Sequence, residues 1–73
     1  MKVKVRLDTI SDIKGFVKAV NGIEGEVHLT DGNNLTVSAK SILGAMYTIE
    51  WSEVYCTCDK DIYGRIQDYV LNE

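Results

Sequence analysis

The feature that most constrains this chain is a change of apolar spacing between Leu7 and Ile13. Val3, Val5 and Leu7 alternate with Lys4 and Arg6, a period of two that puts the apolar side chains on one face of a strand and the cations on the other. Ile13, Phe16, Val17 and Val20 then recur at helical spacing. A strand with one apolar face followed closely by a helix with one apolar stripe must bury the two surfaces against each other. The spacing predicts a strand over Val3–Leu7 and a helix over residues 9–22. Thr9 and Asp12 form a Thr-x-x-Asp capping box at the start of that helix, and Asn21-Gly22 is its stop.

The remaining chain repeats the two periods. In "EVHLTDGNNLTVSA", Val27 and Leu29 alternate before Asp31-Gly32, and Leu35 and Val37 alternate after it, which reads as a hairpin of two strands. "KSILGAMY" is a short helix capped by Ser41, and "SEVYCTC" is a fourth strand with Val54, Cys56 and Cys58 on one face. Residues 59–73 close as an amphipathic helix started by Asp59, with Ile62, Ile66, Tyr69 and Val70 inward. The expected fold is α+β: an open-faced two-layer sandwich, its four-stranded antiparallel sheet covered on one face by three helices in the order β-α-β-β-α-β-α.

With 73 residues, no proline and no low-complexity linker, the chain is read as one domain over 1–73. A domain this small buries only about 60% of its unfolded surface and has room for one thin core. The net charge of −3 and the scattering of the eight Lys and Arg argue against a nucleic-acid partner, which needs clustered cations. Lys2, Lys4 and Arg6 read as the solvated face of the first strand. No apolar run reaches the ~18 residues of a membrane span and no leader pattern opens the sequence, so the expected location is cytoplasmic.

Cys56 and Cys58 share a strand face and read as small apolar side chains of a reduced core rather than a disulfide framework. A metal site would need further ligands, and His28 is the single histidine. No cofactor and no metal are expected. His28 lies between inward-facing Val27 and Leu29, so the period of two sends it to the outer sheet face as an ordinary surface histidine. Trp51 and Tyr55, four apart, would share that outer face if the fourth strand began so early.

The segment "KSILGAMY" raises the functional question. An interior helical glycine costs roughly 1 kcal/mol relative to alanine, yet Gly44 stands among Ile42, Leu43, Ala45 and Met46. On the residues alone, Ser41 is an N-cap and the apolar side chains pack beneath the helix.

This segment resembles the Lys-Ser-Ile-Met-Gly-Val-Met stretch of the HPr family, small phosphocarriers of the bacterial sugar phosphotransferase system. The match lies in Ser41, Ile42, Gly44 and Met46, and the preceding hairpin fits with one extra residue in its turn. The resemblance implies an exposed short helix whose serine, here Ser41, is a regulatory phosphorylation site. It also implies that Lys40, Ile42, Leu43 and Met46 form a patch that docks onto partner proteins. An apolar patch rimmed by polar residues is a common interaction surface, and methionine adapts to several partners.

The chemistry of a phosphocarrier is missing. The family carries His-Ala-Arg-Pro at the start of its first helix, the imidazole taking and releasing the phosphoryl group. Thr9, Ile10, Ser11 and Asp12 stand at those places here. Thr9 therefore occupies a degenerate phosphocarrier position, and Asp12 would both occupy the helix-terminal N–H groups and repel a phosphoryl group. No catalytic residue and no histidyl phosphoryl transfer are expected.

The combination is similar to the catabolite-repression paralogue of HPr, which lacks the active histidine, keeps the regulatory serine and acts as a corepressor once phosphorylated. The partners so implied are HPr kinase, a catabolite-control transcription regulator or other phosphotransferase-system components, with the chain a monomer or weak homodimer. Two other readings stand beside this one. The first is a phosphocarrier with a non-histidine acceptor such as Thr9. The second is an unrelated metabolite-binding or dimerisation domain using Cys56, Cys58 or the aromatics Tyr47, Trp51 and Tyr55.

Overall fold

Alternating side chains dictate a sheet with two unlike faces, and the strand pairing shows both. The computed structural model describes residues 1–72. Its elements are β1 (Lys2–Val5), α1 (Ile10–Asn21), β2 (Val27–Thr30), β3 (Thr36–Ser38), α2 (Ile42–Met46), β4 (Val54–Cys58) and α3 (Tyr63–Ile66). A 3-10 turn at Tyr47–Glu50 continues α2, and another at Gln67–Tyr69 continues α3. The strands form one antiparallel sheet in the order β1-β4-β2-β3. This is the α+β sandwich with the β-α-β-β-α-β-α order expected from the periodicities.

Register assigns every strand residue to a face. Val3 pairs with Cys56, Cys56 with Leu29 and Leu29 with Val37, a continuous inner row. Lys2 pairs with Thr57, Thr57 with His28 and His28 with Ser38, an outer row one residue away. The inner face joins Ile13, Phe16, Val17 and Val20 of α1, Ala45 of α2 and Ile66 of α3 in one core. Phe16, Ile13, Leu29 and Ile66 are its largest fully buried side chains, each contributing about 1.5–3 kcal/mol by removal from water.

The capping box of α1 forms as the sequence predicts. Thr9 Oγ1 accepts from Asp12 N at 3.0 Å, and Asp12 Oδ2 accepts from Thr9 N at 3.2 Å and Asp8 N at 3.1 Å. The helix ends at Asn21 with Gly22 as C-cap.

Four local expectations are corrected. The first strand stops at Val5, with Leu7 buried beyond it in the connection to α1. In the hairpin, residues 31–35 form a five-residue turn. Asp31 N donates to Leu35 O at 3.2 Å, Gly32 takes φ +83°, and Leu35 is exposed rather than part of β3. Trp51 lies before β4 and is half-buried against the core, so it does not share the outer face with Tyr55.

The fourth correction concerns residues 59–73, read as one helix. α3 starts only at Tyr63, because Ile62 turns into the core, and helical structure ends at Tyr69. Val70 then takes extended backbone (φ −75°, ψ 133°) and bridges Val5. Arg6 N donates to Tyr69 O at 2.8 Å and Leu71 N to Lys4 O at 2.9 Å, so backbone groups on the outer edge of β1 are paired by this segment. Residue 73 lies outside the described residues.

Candidate functional site

A short helix usually hides its large apolar side chains, and α2 with its 3-10 continuation does the reverse. Its buried side chains are small: Ala45 is 0% and Thr48 1% exposed, the Thr48 hydroxyl donating to Ala45 O at 2.7 Å. Its large ones face water: Leu43 is 77% and Tyr47 65% exposed, and Ile42, Met46 and Ile49 are exposed as well. Leu43, Met46, Tyr47 and Glu50 line a shallow depression on this surface. The geometry therefore brings Leu43 and Met46 together with Tyr47, while Ile42 and Ile49 are exposed on the same two turns outside the depression. The turn at Tyr47–Glu50 supplies Tyr47 and Ile49, and the signal for them was present: Leu43–Tyr47 and Met46–Ile49 continue the i, i+4 and i, i+3 spacing of one helical surface.

Ser41 holds the entrance to this surface. It is exposed, has extended backbone (φ −106°, ψ 121°), and its Oγ accepts from Gly44 N at 3.1 Å, making it the N-cap of α2. The hydroxyl proton is not used in that bond, since the oxygen is the acceptor. Gly44 is not required by close packing. A Cβ built on it stands 3.4 Å from the Ser38 carbonyl oxygen and 3.5 Å from the Ser41 side chain, ordinary contact distances that would admit an alanine.

Lys40 differs from its neighbours. It is half-buried, and its ammonium donates to the carbonyls of Ile23 and Gly25 in the connection between α1 and β2. Its own carbonyl accepts from Asn21 Nδ2 at 3.4 Å. Lys40 thus ties α2 to the C-terminal end of α1 and does not extend the apolar surface.

Thr9 lies at the other end of α1, where the Asp12 carboxylate and the Thr9 hydroxyl take the N–H groups of Asp8, Thr9 and Asp12. A phosphate seated there would have to displace a carboxylate of its own sign. His28 is on the outer sheet face between Thr57 and Ser38, away from the start of α1. Cys56 is fully buried, and loss of hydration in the core, with the neighbouring Cys58 adding to it, pushes its thiol up to about 12. That holds it protonated and unreactive. Among the described residues no group of three or more His, Cys, Asp or Glu is placed to hold a metal ion, and no helix is long and apolar enough to cross a membrane.

The outer sheet face is polar and internally paired. Lys2 Nζ sits 5.0 Å over the Tyr55 ring, Tyr55 Oη donates to Glu53 Oε2 at 3.0 Å, and Lys4 lies 3.6 Å from Glu53. Arg6 pairs with Asp8 at 2.8 Å. Cations and carboxylates thus alternate there without a cluster of one sign.

Comparison with protein-family models, with curated proteins and with solved structures finds no significant match to this chain.

Proposed function

We propose that this chain is a non-catalytic protein-binding module of the HPr-like regulatory kind. It docks through Ile42, Leu43 and Met46, extended by Tyr47 and Ile49, and Ser41 is the phosphoacceptor that switches docking. The observation that carries this reading is the inverted polarity of α2: a chain with so little core exposes its large apolar side chains there and buries Ala45 and Thr48 instead. Such a patch marks a protein interaction site more often than chance exposure does. The Ser41-led segment and the β-α-β-β-α-β-α order support the kinship to HPr; the site itself supports docking without it.

Phosphorylation at Ser41 adds about −1.5 to −2 charges at the start of α2, beside Ile42. That charge favours a partner offering arginine or lysine opposite Ser41 and disfavours an apolar or acidic one, which is how one surface changes partners. Phosphocarrier chemistry is not part of the reading, because Thr9 and Asp12 cap α1 where a carrier needs an imidazole and open amide donors.

Intact-mass measurement tests this in two arms, one with enzyme I and phosphoenolpyruvate, the other with HPr kinase and ATP, each repeated on Ser41→Ala. The expected result is one phosphate from the kinase arm only, absent in the variant. Phosphate transferred from enzyme I would mean a carrier with a non-histidine acceptor and would overturn the proposal. A kinase arm with no added mass would remove the serine switch.

A further inference from the structure

The connection between α1 and β2 presents three successive carbonyls, and each is held by a lysine from a distant part of the chain. Lys40 Nζ donates to Ile23 O and, at 2.6 Å, to Gly25 O, while Lys60 Nζ donates to Glu24 O at 2.9 Å. Gly25 has φ +88°, a left-handed conformation. The backbone of Lys40 is fixed as well, its N–H donating to Ser38 Oγ at 3.2 Å and its carbonyl accepting from Asn21. Lys40 is therefore the physical link between the start of α2 and this connection, and Ser41 is its neighbour in the chain.

We propose that Lys40 transmits the charge state of Ser41 to the Ile23–Gly25 segment. A phosphate on Ser41 draws the Lys40 ammonium away from the two carbonyls and loosens the segment. The inference rests on the reading of Ser41 as a phosphoacceptor. In the modification a protein kinase moves the γ-phosphoryl group of ATP to Ser41 Oγ. The new O–P bond forms as the bond to the β-phosphate bridging oxygen breaks, ADP leaves, and the hydroxyl proton passes to a base of the kinase. The product places a near-dianion one residue from an ammonium on a four-carbon stem. Both bonds are charge-assisted through the ammonium, but the phosphate meets it with a full opposite charge where each carbonyl offers only a dipole, and the Gly25 carbonyl, exposed at the surface, is rehydrated when released. The Lys60 bond to Glu24 remains, so the connection loosens on its α2 side. Phosphorylation then alters two places: the docking surface by its charge, and the end of α1 through Lys40.

The test uses the full chain with phosphoserine incorporated at position 41 during translation, so that no kinase is needed. Amide hydrogen exchange is followed by mass spectrometry over residues 22–27, including the Ile23 N–H that donates to Val20 O at 3.1 Å. The expected result is about tenfold faster exchange in this segment than in the unmodified chain, with α1 residues 13–17 unchanged. Lys40→Met without phosphate should show the same acceleration, and phosphoserine should add nothing to it in that background. Unchanged exchange in the phosphoserine protein would overturn the inference, as would an acceleration by phosphoserine that persists in Lys40→Met. A kinase that fails to modify Ser41 would overturn the underlying reading instead, and the built-in phosphate keeps the two failures apart.

Discussion

Gly15 sits in the middle of α1, where alanine is worth roughly 1 kcal/mol more than glycine by helix propensity, so Gly15→Ala should stabilise an isolated helix. In this fold it should do the opposite. A methyl group built on Gly15 overlaps the Tyr69 hydroxyl oxygen, while the ring atom Cζ behind it stands 3.4 Å away in ordinary contact. The ring has little freedom to retreat, since it packs edge-on against Phe16 (centroids 5.4 Å apart, 80° between planes) and Tyr69 O accepts the Arg6 N–H just beyond β1. Overpacking of this kind costs about 1–3 kcal/mol. Set against the propensity gain, Gly15→Ala should destabilise by about 1 kcal/mol, or roughly 4–8 °C in Tm for a chain of this size. Tyr69→Phe removes the offending oxygen, so in that background Gly15→Ala should stabilise by about 1 kcal/mol, a coupling of about 2 kcal/mol. Urea and thermal unfolding of the four proteins by circular dichroism measures the cycle. If Gly15→Ala raises Tm equally in both backgrounds, the reasoning that Gly15 is a notch for Tyr69 is refuted.

Two further outcomes follow from titration. The Cys56 thiol is raised to about 12 by burial, so above the ordinary value of 9.0 the unfolded chain loses a proton that the folded chain keeps. Stability is complete below pH 9 and falls between pH 9 and 12, by up to about 1.4 kcal/mol per pH unit. Urea midpoints at pH 8, 9.5 and 10.5 should show this slope, and Cys56→Ala, weaker at neutral pH by about 1 kcal/mol, should flatten it. At the acid end, the backbone N–H of Asn33, then that of Leu35, hold the Asp31 carboxyl below its usual 3.8. Its contribution is present above that value and is lost as pH falls through the folded one. Asp31→Asn, which still accepts but does not titrate, should shallow the loss of stability below pH 4, and an unchanged acid limb would contradict the role given to that turn.

What the sequence made legible was whatever depended on period and caps. Val27 and Leu29 against His28, the α1 stripe from Ile13 to Val20, the Thr9–Asp12 box and the Ser41 cap all follow from rules acting over four residues or fewer, and all are present. What it hid depended on partners far along the chain. Ile62, Ile66, Tyr69 and Val70 have helical spacing, but the open edge of β1 and the residue after it supply Lys4 C=O and Arg6 N–H to pair, and extended backbone at Val70 satisfies them. Lys40 is expected in the patch beside Ser41, yet the Ile23 and Gly25 carbonyls claim its ammonium from 17 and 15 residues away. The exposed apolar surface of α2 was half legible. Ile42, Leu43 and Met46 are visible as an apolar run, but which of them face water depends on Ala45 and Thr48 being the ones that fit over the sheet.

Substitution on that surface separates docking from folding. Leu43 is so exposed that Leu43→Asp should change stability by no more than about 0.5 kcal/mol, as judged by urea unfolding. The most direct measurement is an NMR titration of the isotope-labelled chain with HPr kinase, following every backbone amide, on wild type and on Leu43→Asp. The account predicts shifts concentrated on Ser41 to Glu50, an unaffected outer sheet face at His28, Tyr55 and Thr57, and loss of the shifts in the variant. Shifts centred on the sheet face, or a Leu43→Asp protein that binds as well as wild type, would contradict it.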